Sequence, residues 1–336
     1  MRASIRQVAE LAQVSPKTVT NVLHDRSART SDATRLRVME AVRHLNYIPV
    51  RTCVQNRRSE TRVLGLYFAD TDVTQHTVGT ASFHGIQREA EKHGYDLLIL
   101  GARPHWAAER EEMRFLDRRS DGFIFVNAPK QPDVLNTLVQ NAIPAVMCYT
   151  CDVPPAIPFV MPDDADAMRQ AVQLLARRGH RVIAHFAGAE RHTSACRRRV
   201  AFSNAMRAAG LGRYADLVVH GDWNDDQVTN RQAVGQILEL RPTAVVCGND
   251  VQAALLCETA IASGLRVPED LSIVGMDNMA EAQRYGITTL NNPFVDIGRT
   301  AVEVLLRLLA GEDALCLNRE LPVTLIERDS VAGPRN

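Results

Sequence analysis

Near its start, the chain repeats apolar side chains at spacings of three and four, the period of an amphipathic helix. Ser4 stands three residues before Gln7 and predicts a capping box, while Ser15 and Pro16 predict the start of a second helix. Ser31 is the expected cap of a third. The positions expected to face inward are Ile5, Val8, Ala9, Ala12, Val19, Val22, Leu23, Leu36, Met39, Val42 and Leu45. The pattern predicts three short helices around one small core.

From Val63 onward, short apolar strands alternate with amphipathic helices. The first strands are "VLGLYFAD", "YDLLILGA", "DGFIFVNA" and "IPAVMCYT"; after Phe159 the alternation restarts with "RVIAHFAGA", "DLVVHGD", "TAVVCGND" and "LSIVGMDN". Such alternation is typical of parallel sheets covered by helices. We therefore expect an α/β body of two similar lobes, with a ligand site in the cleft between them.

Charge divides the chain in the same place. The whole sequence balances 39 basic against 39 acidic residues. Up to Arg62, however, it has twelve basic and five acidic residues, a net charge of plus seven, so the remainder carries minus seven. A basic segment on an acidic body is expected when only one part of the molecule meets phosphates.

Several classes of protein are disfavoured by composition. Met1 leads directly into the first helix, and no apolar run reaches the roughly eighteen residues of a membrane span, so we expect a cytoplasmic protein without membrane contact. Seven cysteines, an odd number, indicate reduced thiols. Cys148 and Cys151 form a C-x-x-C, but prolines follow it and no further ligand pair is evident. We expect neither a metal nor a cofactor.

The segments "SIRQVAELAQVSPKTVTNVL" and "TSDATRLRVMEAVRHLNYIP" resemble the DNA-binding head of the lactose-repressor/galactose-repressor family of bacterial regulators. The body resembles periplasmic sugar-binding proteins: "TTLNNPFVDIGRTAVEVLLRLL" is similar to the segment that returns to the first lobe, and "LPVTLIERDS" to the closing strand. The resemblance implies a helix-turn-helix domain at 1–46, a linker at 47–62 and a body at 63–336. The first lobe would span about 63–160 and 293–321, and the second about 161–292 and 322–336.

Base recognition is expected from the start of the second helix, because side chains there reach base edges in the major groove. Lys17 favours guanine acceptors, and Asn21 can pair with adenine. The family usually has serine-arginine where this chain has Thr20-Asn21, so its operator need not be a relative's. The DNA-contacting candidates are Ser4, Ser15, Pro16, Lys17, Thr18, Thr20, Asn21, Arg29, Arg51, Asn56 and Arg57.

The linker "YIPVRTCVQNRRSETR" departs from the family pattern. In family members a leucine often wedges into the minor groove and bends the duplex. Asn56 stands at that position here. We therefore expect Arg51, Arg57 and Arg58 to contact phosphates without a sharp central kink.

The resemblance also places ligand-binding candidates in the cleft. Arg198 matches the family's R-x-x-G-F arginine, and its guanidinium can clamp vicinal hydroxyls or a carboxylate. Asp277 matches a family aspartate that accepts hydrogen bonds from the ligand. Asp163, Asp250 and Trp223 follow strands at comparable positions. Each has a structural alternative: a helix N-cap for Asp163 and Asp250, a turn for Asp277, and the core for Trp223.

A second departure lies in the loop after "LYFAD". The family usually has N-P-F-F there, whereas this chain has the longer, non-aromatic "TDVTQHTVGTAS". Asp70, Gln75 and His76 could offer hydrogen bonds instead, and Tyr149 replaces a common family aspartate. The effector is expected to be a sugar or a sugar derivative, although the altered loop leaves its class open.

These features predict a homodimeric transcription regulator, most simply a repressor. Its partners would be a pseudopalindromic DNA operator and a small-molecule, carbohydrate-like effector. Closure of the lobes would move the DNA-binding heads and change operator affinity. A solute receptor would need export. An enzyme is disfavoured because no G-x-G-x-x-G, P-loop, nucleophile elbow or H-E-x-x-H is present.

Overall fold

The computed structural model describes residues 4–23, 31–45, 47, 60–68, 77–101, 108–126, 132–223 and 227–335. Within these ranges a helical head precedes a body with two α/β lobes. No helix in the same ranges combines the length and the apolar character needed to cross a bilayer.

The helices and strands follow in chain order. The helices are α1 (Ile5–Leu11), α2 (Pro16–Leu23), α3 (Asp32–His44), α4 (Thr77–Lys92), α5 (Ala108–Leu116), α6 (Pro132–Gln140), α7 (Asp164–Arg177), α8 (Thr193–Ala208), α9 (Gln227–Glu239), α10 (Asp250–Ala262), α11 (Ala280–Arg284) and α12 (Phe294–Leu309). The strands are β1 (Val63–Phe68), β2 (Asp96–Gly101), β3 (Gly122–Val126), β4 (Ala145–Cys148), β5 (Phe159–Pro162), β6 (Ile183–Ala187), β7 (Val218–His220), β8 (Ala244–Cys247), β9 (Ser272–Met276), β10 (Thr288–Asn291), β11 (Arg319–Leu321) and β12 (Thr324–Ile326).

The head is built from α1, α2 and α3 around one apolar cluster. The capping box of Ser4 and Gln7 is confirmed: the Gln7 N–H donates to Ser4 Oγ, and the Ser4 N–H donates to Gln7 Oε1. The turn after α1 passes through Gln13 in the left-handed region, with φ of 53°. Expected core residues Val8, Ala9, Ala12, Val19, Val22 and Val42 are buried.

One predicted core position in the head is wrong. Leu36 is 60% exposed, whereas Val38 and Ala41 are buried beside Val42. Because α3 begins at Asp32, positions 38, 41, 42 and 45 share the face that packs on α1 and α2. Leu36 therefore points away from the small core.

Each lobe contains a six-stranded sheet. The first has the order β11-β5-β4-β3-β1-β2, with every pairing parallel. The second has the order β12-β10-β9-β8-β6-β7, in which only β12 runs antiparallel to its neighbour. These sheets confirm the expected α/β fold with parallel sheets and "LPVTLIERDS" as a closing strand.

The helices α4 and α12 cover the first sheet and approach each other through glycines. A Cβ atom on Gly85 would lie 2.0 Å from the Val295 carbonyl oxygen, and one on Gly298 would lie 2.1 Å from the Ser82 carbonyl oxygen. Only glycine permits backbones to approach this closely. The contact fixes α12, which follows β10 of the second sheet, against the first lobe.

The chain passes between the lobes three times. It leaves the first sheet after β5, returns between β10 and α12, and leaves again between β11 and β12. Two of the crossings are joined directly, because the Asp163 N–H donates to the Leu321 carbonyl oxygen at 2.8 Å. Such adjacent crossings are the natural axis for motion of one lobe against the other.

Candidate functional site

The exposed start of α2 presents the head's candidate DNA contacts. Ser15 accepts a hydrogen bond from the Thr18 N–H at 3.1 Å, and its hydroxyl lies 2.9 Å from the Thr18 hydroxyl, so both residues stabilise the helix start. Thr20 donates to the Pro16 carbonyl oxygen. These hydroxyls are thus engaged with the helix itself, although each keeps capacity for a phosphate.

Lys17 and Asn21 are the side chains of α2 best suited to read bases. They stand four residues apart and therefore share a helix face, opposite the buried Val19 and Val22. Lys17 and Pro16 are exposed, and Asn21 is partly exposed. This face can enter a groove while the opposite one holds the head together.

Some predicted site residues cannot be placed. The following lie outside the described residues: Arg29, Arg51, Asn56, Arg57, Arg58, Asp70, Gln75 and His76. The expectations for the linker and for the loop after β1 therefore stay predictions.

Arg198 is the centre of the candidate ligand site. It lies on α8 with its side chain 8% exposed. Its Nε donates to Asp164 Oδ1 at 3.1 Å and its Nη1 to the Gly248 carbonyl oxygen at 2.7 Å, while Nη2 lies 3.9 Å from Asp277 Oδ1. These partners fix the guanidinium plane and compensate its charge in a buried place.

Asp277 and Asn292 form a polar pair beside this arginine. The Asn292 amide donates to Asp277 Oδ1 at 2.6 Å. Burial raises the pKa of Asp277, while the Arg198 charge and the Asn292 hydrogen bond oppose that rise. Asn292 Oδ1 is buried and accepts no hydrogen bond from the described residues. A ligand hydroxyl or N–H would satisfy it, because buried polar atoms without partners are costly.

An aromatic surface stands next to the arginine. The ring of Trp223 stacks on His192 at 5.5 Å between centroids, and the Arg198 guanidinium lies 5.2 Å from the Trp223 ring centroid. The Trp223 indole N–H donates to Gln252 Oε1 at 3.3 Å. Gly188 makes room, since a Cβ there would lie 2.3 Å from the indole. Trp223 is thus held at the site and only partly buried.

The first lobe contributes Tyr149 after β4. Its backbone is left-handed, with φ of 71°, and its hydroxyl shares a hydrogen bond with Ser82 on α4. Its ring contacts Phe294 edge-on at 6.1 Å. Burial raises the pKa of Tyr149 well above its usual value, and the Asp277 charge adds to this. Tyr149, from the first lobe, and Asp277, from the second, therefore lie within electrostatic range of each other.

Arg197, the residue before Arg198, joins the lobes. Its Nε donates to Asp164 Oδ2 at 3.2 Å, its Nη1 lies 3.3 Å from Cys151 Sγ, and its Nη2 lies 3.4 Å from Glu320 Oε1. Cys151 follows β4 and Glu320 belongs to β11, both strands of the first sheet, whereas Arg197 belongs to the second lobe. One side chain thus links both lobes at the cleft.

Two predicted ligand contacts have structural roles in this arrangement. Asp163 is the N-cap of α7, where it accepts from the Asp166 N–H at 2.9 Å, and the next residue, Asp164, is the one that holds Arg198. Asp250 has no solvent exposure, and both of its oxygens accept hydrogen bonds from within its lobe. In this arrangement it supports the loops and presents no free oxygen to the cleft.

The sequence interpretation missed Asp164, Asn292 and His192. For Asp164 a signal existed: the capping rule assigns Asp163 to the start of α7, which leaves the second aspartate of "MPDD" for other contacts. Asn292 and His192 stand in "NNPF" and "ERHT", where nothing local distinguishes them from loop residues.

Cys148 of the C-x-x-C is not an activated thiol. Burial raises the pKa of Cys148 to about 12, which is the opposite of an activated thiol. Among the described residues, no group of three histidine, cysteine or acidic side chains is placed to hold a metal ion.

Comparison with known proteins assigns the chain to a family. Residues 4–50 match the bacterial regulatory proteins of the lacI family, and residues 172–331 match the periplasmic binding protein-like domain. Over 341 residues the chain is 30% identical to the HTH-type transcriptional repressor PurR of Aliivibrio fischeri (strain MJ11), with 98% of each covered. The chain belongs to the lacI family. A PurR of Vibrio cholerae serotype O1 (strain M66-2) is 28% identical over 338 residues, again with 98% of each covered.

Two solved structures of similar proteins match nearly the whole length of this chain. A transcriptional regulator CelR–cellobiose complex has a TM-score of 0.74 and 25% identity, covering 98% of this chain and 100% of the other. The lac repressor dimer bound to operator and the anti-inducer ONPF has a TM-score of 0.70 and 25% identity, covering 99% and 100%. This protein is a DNA-binding transcriptional repressor with a ligand-binding body, and not an enzyme.

Proposed function

We propose that this repressor acts as a cytoplasmic homodimer whose affinity for a pseudopalindromic operator is controlled by an effector bound between the lobes. The observation that carries the proposal is Arg198, a buried guanidinium held between Asp164 and Asp277 beside the loops that follow β8 and β9. The head at 1–46 would bind DNA, the linker at 47–62 would contact phosphates, and the body at 63–336 would bind the effector and its partner copy.

A carbohydrate or a sugar derivative is the first candidate for the effector. Sugar hydroxyls both donate and accept, which suits a site where Asp277 accepts, Arg198 donates and Asn292 Oδ1 has no partner among the described residues. Trp223 is partly exposed beside these polar groups, where its ring can contact the apolar side of a sugar. The similarity to a regulator solved with cellobiose supports this choice.

A nucleobase or nucleoside is the second candidate. The parallel stack of His192 on Trp223, with 24° between the rings, forms a planar aromatic surface. His192 Nε2 is buried without a hydrogen-bond partner among the described residues, and burial lowers the pKa of His192, which favours the neutral ring. A neutral imidazole can accept from a base N–H or donate to a ring nitrogen.

The effector would act by changing how the lobes close. Tyr149 and Phe294 belong to the first lobe, whereas Arg198 and Asp277 belong to the second, so a ligand that contacts both stabilises one relative position. The three chain crossings allow this motion with little change inside either sheet. Movement of the first lobes would then alter the spacing of the two heads on DNA, which couples the two sites.

The test is selection of bound duplexes from a random DNA pool with the full-length protein. The selection is run alone and with D-glucose, D-ribose, cellobiose, D-gluconate, adenosine or guanosine. Enrichment of a pseudopalindrome, gained or lost with one compound, would support the proposal and identify the effector class. Binding that follows salt concentration alone, with no enriched sequence, would refute the specific reader.

Two matched pairs of variants separate the sites. Lys17→Ala should weaken operator binding, whereas Lys92→Ala removes an exposed charge from the body and should not. Arg198→Gln should abolish the response to the effector, whereas Arg207→Gln, on the exposed side of the same helix, should retain it. An unchanged effector response in Arg198→Gln would contradict the proposed site.

A further inference from the structure

Asp250 is a buried carboxylate that the proposed ligand contacts do not use. It is the first residue of α10 and has no solvent exposure. The cap of α10 is Asn249, whose Oδ1 accepts from the Gln252 N–H at 2.8 Å. The helix therefore does not need the Asp250 carboxylate for capping, and its burial requires another explanation.

The two oxygens of Asp250 bind two other elements. Oδ1 accepts from the Thr289 hydroxyl of β10 at 2.7 Å, and Oδ2 accepts from the Met279 N–H at 2.7 Å. Gly275 of β9 makes space, because a Cβ there would lie 2.1 Å from Oδ1. Asp250 thus ties α10 to β10 and to the loop that follows β9.

That loop has an unfavourable backbone and carries Asp277. Asp277 and Asn278 both lie in the left-handed region, with φ of 102° and 55°, which non-glycine residues seldom adopt. Several hydrogen bonds hold it: among them, Arg328 Nη2 donates to Asn278 Oδ1 at 2.6 Å, the Asp277 N–H donates to the Leu290 carbonyl oxygen at 2.7 Å, and Asp250 accepts from the next backbone N–H, that of Met279. Among these contacts, the one from Asp250 holds the backbone immediately after the two left-handed residues.

We propose that Asp250 is a positioning residue of the effector site, which holds Asp277 toward Arg198 by anchoring the backbone at Met279. The inference rests on the proposed function of the cleft for its meaning, since Asp277 matters only if a ligand binds there. The anchoring itself is a property of the free protein and is measurable without any effector.

The surroundings of Asp250 also make the anchor sensitive to pH. Burial raises the pKa of Asp250 to about 7; the Asp277 charge adds to the rise, while Arg328 and the two hydrogen bonds oppose it, and the buried Cys247 thiol lies within electrostatic reach. A protonated Asp250 keeps one oxygen as acceptor for Met279 and donates to the Thr289 hydroxyl. Asparagine offers the same pattern through its carbonyl and amide groups.

Thermodynamic linkage gives the direction in which loop opening changes with pH. Opening of the loop hydrates Asp250 and returns its pKa toward the usual value near 4. The closed loop then binds the proton more tightly, so opening becomes easier as pH rises from about 5 to about 7, by up to about tenfold per pH unit, and levels off above. An asparagine at this position removes that slope.

The experiment is amide hydrogen exchange on full-length protein, read at Met279 and corrected for intrinsic exchange, between pH 5 and pH 8. Asp250→Leu should exchange at least about tenfold faster at Met279, since it lacks an acceptor, while β8 keeps its protection. Asp250→Asn should show no pH slope, and its loop opening should match that of the wild type only below about pH 4, where Asp250 is neutral in both states. Ser203→Ala, which removes a buried hydrogen bond to the Ala215 carbonyl elsewhere in the lobe, should leave Met279 unchanged.

Two results would overturn the inference: wild-type exchange at Met279 in Asp250→Leu, or a wild-type pH slope in Asp250→Asn. If the leucine variant does not fold, the asparagine profile decides alone. None of these readouts involves an effector. A failure of the whole effector panel with the expected exchange would therefore refute the proposed function and leave the anchor standing.

Discussion

The crossing of α4 and α12 allows two opposing effects to be compared in one substitution. In an unhindered helix interior, replacing glycine by alanine stabilises by about 1 kcal/mol, because the backbone loses less freedom on folding. At Gly298 the new Cβ would lie 2.1 Å from the Ser82 carbonyl oxygen and 3.0 Å from the Ile86 nitrogen. Both neighbours are backbone atoms of α4, so no side chain can rotate to relieve the overlap.

The steric effect should dominate at this position. An ordinary carbon–oxygen contact needs the helices to separate by roughly 1 Å, and such overpacking costs about 1–3 kcal/mol. Because the overlap is with backbone atoms, we take the upper part of this range, about 2–3 kcal/mol; after the propensity gain of about 1 kcal/mol is subtracted, Gly298→Ala should destabilise the protein by about 1–2 kcal/mol. Displacement of α12 would also move Phe294, which contacts Tyr149 at the cleft.

Gly235→Ala is the matched control. Gly235 lies inside α9, and its Cβ would meet no atom within 4 Å. This variant should gain about 0.5–1 kcal/mol from the same propensity effect. Thermal unfolding of both variants beside the wild type should therefore show shifts of opposite sign, each a few degrees in size. Stabilisation of both variants would refute the reasoning, because it would mean that α4 and α12 accommodate the added methyl.

Three further predictions follow from the head, the cleft and the thiols. Arg198→Gln should lower the free energy of unfolding by about 3 kcal/mol at pH 8, because it leaves the buried Asp277 carboxylate without its cation. The loss should be smaller at pH 5, because burial raises the pKa of Asp277 and removal of the Arg198 charge no longer opposes that rise, so the carboxyl group is more readily neutral there. Thermal unfolding that shows equal losses at both pH values would contradict this. Lys17→Ala should reduce the salt dependence of operator binding by about one counterion if it contacts a phosphate, or relax base preference at one position if it reads guanine, as measured by titration against single-base variants. Cys316 should react with a thiol reagent in the native protein, whereas Cys148 should react only after unfolding, since it is fully buried and its pKa is raised to about 12.

Local features of this protein follow from sequence because their causes lie within a few residues. The capping box of Ser4 and Gln7 and the start of α2 after Ser15 need only neighbours three positions away. The alternation of apolar strands and amphipathic helices likewise predicts two parallel sheets, since each strand must be apolar on both faces to lie between helices.

Sequence does not decide where a choice between similar residues depends on packing. Leu36 and Val38 both suit a helix core, and only the docking of α3 on its neighbours selects Val38. Asp163 and Asp164 are adjacent carboxylates, and the side chain that reaches Arg198 is decided by which one caps α7.

The candidate site itself belongs to the tertiary structure. Arg198, Asp277, Asn292 and Trp223 come from four separate connections of the second lobe, and Tyr149 comes from the first. The residue types alone suggest ligand-binding chemistry. Burial in the folded protein decides which carboxylate oxygens are available to a ligand. Asp250 and Asp277 look alike in "CGND" and "VGMDN", yet the fold encloses one as an anchor and turns the other toward the arginine. That distinction depends on neighbours far away in sequence, which only the folded chain brings together.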